Sequence, residues 1–410
     1  MKPAFNRQAK LFLVSTILYG IAFSFWELFF NIYILSRGIP KDTLGLIRTS
    51  VPLAALILGL PLGKLADRIG QKRSILIGLA VGLLGMFLQV NLKDQNLIFL
   101  MGFVQGAGLM LYRVAIPSFI MSNSNENNRA VLFSLNYSLT TFAAMVGSLL
   151  AGQLPSLASR IFFLLPESAA AYQAVIIAGI LLGATSLIPI LFFSDPAKPK
   201  AASGVINSEP RLSLRELFRI KIVRNLFFRN LIVGLGAALL VPYFNVFFRE
   251  NHQMSDQNLG YLFSVSSLLV VVGTLLAPWI SRVMHGKIRA TILTQSVSII
   301  FLLLTGFSPW LWLAQVGFLM RTVFMQLASP LLDNFAMEIS PEGQQSTISS
   351  ISGVGWQLGQ SMGLFISGLV QVRYGFSPLF ITTAFLYFIS VIFAWVFFRP
   401  IEKKLMHART

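Results

Sequence analysis

Twelve stretches of this chain, each about twenty residues long, are almost free of charge, and that pattern excludes most ways a polypeptide can fold. About 20 apolar residues at 1.5 Å each match a hydrocarbon core of about 30 Å, where a helix satisfies its own backbone. The spans are expected near residues 11–35, 43–63, 74–91, 96–120, 130–153, 171–194, 226–248, 258–281, 288–307, 309–332, 345–371 and 377–399. Only 11% of the 410 residues are charged, against roughly a quarter in soluble domains. The predicted class is an all-α integral membrane protein with twelve transmembrane helices.

Lysine and arginine set the orientation. With residues at the inner ends of spans counted as cytoplasmic, 23 of the 32 lie on the side of the N-terminus, 6 in the opposite loops and 3 within spans. Such an excess marks the cytoplasm, so a multi-pass protein of the cytoplasmic (plasma) membrane with both termini inside is expected. The net charge of +17 is then mostly topological. No segment is long enough for a basic soluble domain, so nucleic-acid binding is excluded. The apolar run after Lys2, Arg7 and Lys10 exceeds the roughly 7–15 residues of a cleaved signal and reads as the first span.

The chain has no cysteine, hence no disulfide, thiolate metal site or cysteine nucleophile. Its histidines, His252, His285 and His407, show no paired metal spacing. Neither a nucleophile elbow nor a G-x-x-x-x-G-K-[ST] loop occurs, so no enzyme activity, metal or cofactor is expected.

The longest polar stretch, between Ser194 and Leu226, falls at the midpoint and divides the chain into bundles 1–194 and 226–410 with a cytoplasmic linker at 195–225. Within the linker Ser213 and Glu216 have capping-box spacing. Leu214, Leu217 and Phe218 form an apolar stripe and Arg211, Arg215 and Arg219 a basic one, the pattern of a helix on the inner leaflet. The two halves repeat each other: Gly20, Asn31 and Gly45 match Gly234, Asn245 and Gly260, and Gly147 and Gly152 match Gly363 and Gly368. Two pseudo-symmetric six-helix bundles are predicted.

After span 2 comes GKLADRIGQKR, Gly63 to Arg73. An aspartate and four cations cannot lie in hydrocarbon, so it reads as a tight water-facing turn in which Gly63 and Gly70 allow close approach or positive φ. Together with twelve spans and a cytoplasmic mid-loop it resembles the major facilitator superfamily, whose signature there is G-x-L-x-D-R-x-G-[RK]-[RK]. Gly63, Leu65, Asp67, Arg68, Gly70 and Lys72 fit it, Gln71 stands where a base is usual, and Arg73 closes the gating segment just after the signature. The resemblance implies that Asp67 faces the start of helix 11 near Gln345 and latches the bundles. In the second half, PWISRVMHGKIR carries Ser281 where the acid would be, so such a latch is one-sided.

Ionisable residues inside spans are costly and are functional hypotheses by default. Glu27 in helix 1, Arg48 in helix 2, Arg113 in helix 4 and Arg321 in helix 10 qualify. Gly20, Ser24, Glu27 and Asn31 share one helical face, and the resemblance implies that helices 1, 4, 7 and 10 line a central path. Two readings of Glu27 stand: a proton-coupling group, or a fixed ion pair with Arg48. Arg113 and Arg321 follow matching Leu-Met pairs, and either face the path together as an anion-binding surface or pair with helix-end carbonyls, Glu27 and Asp333. Ser24, Asn31, Asn245, Gln357 and Gln360 are further candidates for the path, with Phe23, Trp26, Phe30, Tyr243, Phe244 and Trp356 as an aromatic wall. The glycines of helices 5 and 11 read first as packing, since the family's antiporter signature, G-x-x-x-G-P-x-x-G-G, is broken in AAMVGSLLAG.

The expected function is secondary transport of a small organic solute by alternating access, as proton-coupled export of hydrophobic or amphiphilic compounds. The rivals are proton-coupled uptake of an organic anion or sugar, and a transport-inactive membrane sensor on the same fold. The expected partners are the solute, protons and the lipid bilayer, with the chain acting as a monomer.

Overall fold

The twelve expected spans appear as twelve long helices in the computed structural model, which describes residues 5–126, 128–194, 218–340 and 345–407, with no strand among them. We number them α1 (Arg7–Ser36), α2 (Lys41–Ile69), α3 (Gln71–Asn91), α4 (Gln95–Ser122), α5 (Arg129–Ile161), α6 (Ala169–Leu191), α7 (Lys221–His252), α8 (Asp256–Val283), α9 (Lys287–Phe307), α10 (Leu311–Ile339), α11 (Gln345–Tyr374) and α12 (Ser377–Leu405). Eleven are apolar enough to cross a membrane. The other, α11, is 30 residues long, about 45 Å at 1.5 Å per residue, and it is diluted by Gln357, Gln360 and a series of serines. Of the amphipathic segment expected at Arg211 to Arg219, only Phe218 and Arg219 are among the described residues.

Helix starts follow local chemistry. The Asn6 side chain accepts from Ala9 N, Asp94 accepts from Asn96 and Leu97 N, and Ser168 accepts from Ala171 N, each satisfying a free N–H of a first turn. Pro242 lacks an N–H, and there α7 tightens into a 3₁₀ turn over Val241–Tyr243.

The chain forms two compact units, one of Met1–Ile39, Leu46–Leu212 and Ser255–Ser264, the other of Pro40–Gly45, Ser213–Met254 and Val265–Thr410. In the first, α1 packs on α5 and α6 and α3 packs on α4; in the second, α7 packs on α11 and α12 and α9 on α10. The glycines make these contacts close. A Cβ on Gly147 would stand 2.6 Å from the Ile21 carbonyl and 2.7 Å from Ser24 Cβ. One on Gly363 would stand 2.6 Å from both the Leu235 carbonyl and Ala238 Cβ. Ile21 and Ser24 are 214 positions before Leu235 and Ala238, and the two glycines are 216 apart, so the repeat extends to atomic contacts.

The first residues of α2 and α8 belong to the units opposite to the rest of their helices. In the second unit a Cβ on Gly45 would lie 2.8 Å from Gly368 Cα; in the first, one on Gly260 would lie 2.7 Å from Gly152 Cα. Sequence matching pairs Gly45 with Gly260 and Gly152 with Gly368, so one contact is the repeat of the other.

The Gly63–Arg73 segment departs from expectation. α2 continues through Ile69, so Gly63, Leu65, Asp67 and Arg68 are helical, and the turn is the single residue Gly70 at φ +87°. Gly63 has no heavy atom within 4 Å of a Cβ, so neither close approach nor positive φ explains it. Replacing Gly363 by leucine is therefore expected to cost roughly 1–3 kcal/mol or more through overpacking against backbone, whereas Gly63→Ala is expected to stabilise α2 by about 0.5–1 kcal/mol. Thermal unfolding of both purified variants checks the contrast.

Candidate functional site

In the first unit, α1 and α2 bring Glu27 and Arg48 together. Arg48 Nη1 donates to Glu27 Oε1 at 3.3 Å and Nη2 to Oε2 at 3.3 Å, a two-pronged ion pair. The Arg48 side chain is 14% exposed and the Glu27 side chain 43%, so the carboxylate is the open end of the pair. The Arg48 guanidinium also lies 6.0 Å from the Phe30 ring centre, and Phe30 stacks on Trp26 at 4.0 Å. Of the two readings of Glu27, an ion pair with Arg48 is present, and the carboxylate is not the isolated acid that a helical-face argument by itself suggests.

Eight residues earlier on α1, about 12 Å along its axis, Tyr19 stacks with Phe23 at 5.8 Å and meets Tyr112 of α4 at 5.6 Å. The Tyr19 hydroxyl is buried with no hydrogen-bond partner among the described residues. Arg113 is exposed, one residue along from buried Tyr112. Nothing in spacing marked Tyr19; a tyrosine two turns below an acid on one helix was the available signal.

Ser24, expected on the path, takes part in helix packing. It is buried at the α1–α5 crossing, where its hydroxyl donates to the Gly20 and Ala144 carbonyls at 3.0 and 3.4 Å. Gly20 joins it there, a Cβ on it standing 2.7 Å from Ala143 Cβ. Asn31 and Asn245 are buried in their respective units at 1% and 2% exposure, and Asn245 Oδ1 accepts from Val246 N at 2.9 Å. The expected aromatic wall is likewise mostly interior: Trp26, Phe30, Tyr243 and Phe244 are buried, while Trp356 is exposed. Small and aromatic residues at helical spacing satisfy a crossing helix as readily as a cavity.

The two arginines also part company. Arg113 is exposed on the first unit, whereas Arg321 is 5% exposed inside the second, where Nη2 hydrogen-bonds the Tyr387 hydroxyl at 2.7 Å. At the offset of 216 set by the glycines, Arg321 corresponds to Gln105, so the Leu-Met match misplaced it by about two turns. Gln357 and Gln360 on α11 are half-buried, and no side-chain hydrogen bond holds them among the described residues. A further intramembrane arginine escaped notice at the inner end of α7: Arg229 is 6% exposed, donates to Asn230 Oδ1 at 3.3 Å and feels the opposite charge of Asp333.

At the inner turn, Gln71 explains its own departure from the signature. Its Nε2 donates to Ser118 Oγ and its Oε1 accepts from Ser122 Oγ, both at 2.7 Å, tying α3 to α4. Lys72 Nζ donates to the Phe193 carbonyl at 2.6 Å at the end of the sixth span. In the second unit Lys287, 216 positions after Gln71, bonds Asn334 and reaches Glu338 at 2.8 Å, the matching pair on α10. With Gly70 opposite Gly286, Val283 and not Ser281 stands opposite Asp67. Asp67, Arg68 and Arg73 are exposed and make no ion pair among the described residues; at the start of α11 near Gln345, expected to receive Asp67, residues 341–344 lie outside them.

No group of three or more metal-ligating side chains occurs among the described residues.

The family model described as Major Facilitator Superfamily matches residues 11–364 and, again, 230–409. The chain is 22% identical over 392 residues to the MFS-type transporter YxaM of Bacillus subtilis (strain 168), covering 93% of this chain and 94% of that one. It is 24% identical over 401 residues to the multidrug resistance protein MdtG of Dickeya zeae (strain Ech586), covering 93% and 91%. Among solved structures it is similar to the nucleoside transporter NupG, with a TM-score of 0.76 at 14% identity over 95% and 98% of the two chains.

The Glu27–Arg48 contact is testable as an interaction. A double-mutant cycle with Glu27→Ala and Arg48→Ala, read by thermal unfolding, is expected to give a coupling of about 1 kcal/mol or less, in view of the half-exposed carboxylate. Strictly additive effects would make the contact incidental.

Proposed function

This chain belongs to the major facilitator superfamily, and we propose that within it the protein is a proton-coupled exporter of hydrophobic or amphiphilic compounds. The observation that carries the reading is the half-exposed Glu27 carboxylate, held by two guanidinium hydrogen bonds in one repeat only. Its position in α7 is Val241. An acid present in one half of a repeated scaffold suits coupling, because packing demands are shared by both halves and proton binding is not.

The chemistry follows from the pair. A proton taken up by Glu27 removes the negative charge and with it the two charge-assisted bonds to Arg48. Arg48 keeps its charge and must then be met by water or by another group. Proton and solute thus compete for the Glu27–Arg48 polar seam, with the Tyr19–Phe23–Tyr112 aromatic cluster about two turns further along α1, whose rings suit an amphiphile. The two bundles rock between access to either side, with both termini in the cytoplasm and the chain in the plasma membrane. The similarity to multidrug resistance proteins named MdtG supports export.

In proteoliposomes loaded with a fluorescent amphiphile, an imposed pH gradient is expected to drive dye movement by the wild-type chain. Glu27→Gln is expected to lose at least about tenfold of that rate while dye exchange without a gradient persists, since each such factor corresponds to about 1.4 kcal/mol of lost coupling. Gradient-driven movement at the wild-type rate in the variant sinks the reading.

A further inference from the structure

Among the described residues, no acid stands beside the Arg321 cation to balance it. It sits ten residues into α10, about 15 Å below the start of that helix and so near mid-depth. Its one hydrogen bond among the described residues runs from Nη2 to the Tyr387 hydroxyl, its Nε is buried without a partner, and no carboxylate pairs with it. The guanidinium is 5.7 Å from the centres of both the Phe244 and Tyr387 rings, and Phe318, buried, meets Phe244 edge-on at 4.9 Å. The rings contribute cation–π attraction but no hydrogen-bond acceptor for the remaining N–H donors.

The matching place in the first unit shows what a self-sufficient arrangement looks like. There Gln89 donates to Gln105 at 2.7 Å, both buried, and the pair is neutral. At the offset of 216 the second unit has Thr305 for Gln89 and Arg321 for Gln105. Thr305 turns its hydroxyl to the Phe301 carbonyl of its own helix at 2.8 Å. The repeat has therefore exchanged a closed neutral pair for an open positive one.

We propose that Arg321, Tyr387 and Phe244 form a carboxylate-binding site, which makes amphiphilic carboxylates a solute class of this transporter. This rests on the transport reading above for its purpose, though not for its chemistry. A planar carboxylate uses the open guanidinium donors on one oxygen, while the Tyr387 hydroxyl, which accepts from Arg321, has its own proton free to donate to the other. The apolar tail then lies against Phe244 and Phe318, which are buried against each other here and part to admit it. The site uses hydrogen bonding and charge with no proton transfer.

Decanoate, with decanol as its uncharged match, is the probe, titrated into the detergent-purified chain with no pH gradient and read by thermal unfolding and by calorimetry. Decanoate is expected to raise the unfolding temperature where decanol does not. Arg321→Gln is expected to weaken decanoate binding about tenfold or more. Tyr387→Phe, which keeps the ring and serves if the arginine variant does not fold, is expected to weaken it less. Equal effects of decanoate and decanol, unchanged affinity in the variants that fold, or a response to chloride in place of decanoate overturn the assignment. Because binding is read without a gradient, dye export with no decanoate binding defeats this proposal alone, and binding without proton-driven flux defeats the transport reading alone.

Discussion

Backbone must meet backbone for these helices to hold together. Lipid is as apolar as leucine, so association between spans comes from van der Waals contact and hydrogen bonds, both of which require close approach. Glycine supplies it at Gly147 against the Ile21 carbonyl, at Gly363 against the Leu235 carbonyl, and at the Gly45–Gly368 and Gly152–Gly260 contacts. Once those crossings are set, the positions of the intervening side chains follow: Ser24 is driven into a crossing, and Glu27, three residues on, is turned out of it.

The repeat is strict where it packs and loose where it carries charge. Gln71 to Ser118 and Ser122 becomes Lys287 to Asn334 and Glu338, the same three positions with a neutral clamp replaced by a charged one. At the inner side of the second unit Glu402, 6% exposed, accepts from Ile288 N at 2.7 Å and so meets the positive end of α9. In the first unit a cation, Lys72, instead meets the negative end of the sixth span. Packing constrains volume and approach; it leaves the sign of a polar contact open. Glu27, Arg48, Arg113 and Arg321 all exploit that freedom, and none has a charged counterpart at the matching position.

Much of this was legible. Twelve apolar runs, the mid-chain polar break and the glycine matches rest on hydrocarbon thickness and on backbone approach, which are properties of single segments. The length of the inner turn was less legible, because a polar segment leaving the membrane remains helical as readily as it loops. The site was legible in part. Glu27 and Arg48 stand out by charge, and their pairing was one of two readings; the burial of Ser24 and Asn31, the separation of Arg113 from Arg321, and the buried Arg229 were not visible. Helical spacing states which residues share a face, and every helix in a bundle has both a packed face and an open one.

The sequence by itself determined the class, the span count and the family, because each follows from the cost of putting charge or unpaired backbone in hydrocarbon and from a motif confined to one short segment. Tertiary structure decided which polar groups meet. That Arg48 reaches Glu27, that Arg321 meets a tyrosine hydroxyl in place of an acid, and that Ser24 is sealed in a crossing depend on how neighbouring helices are rotated about their axes. Rotation is set by side-chain interlocking between segments far apart in the chain, and no local pattern of residues encodes it.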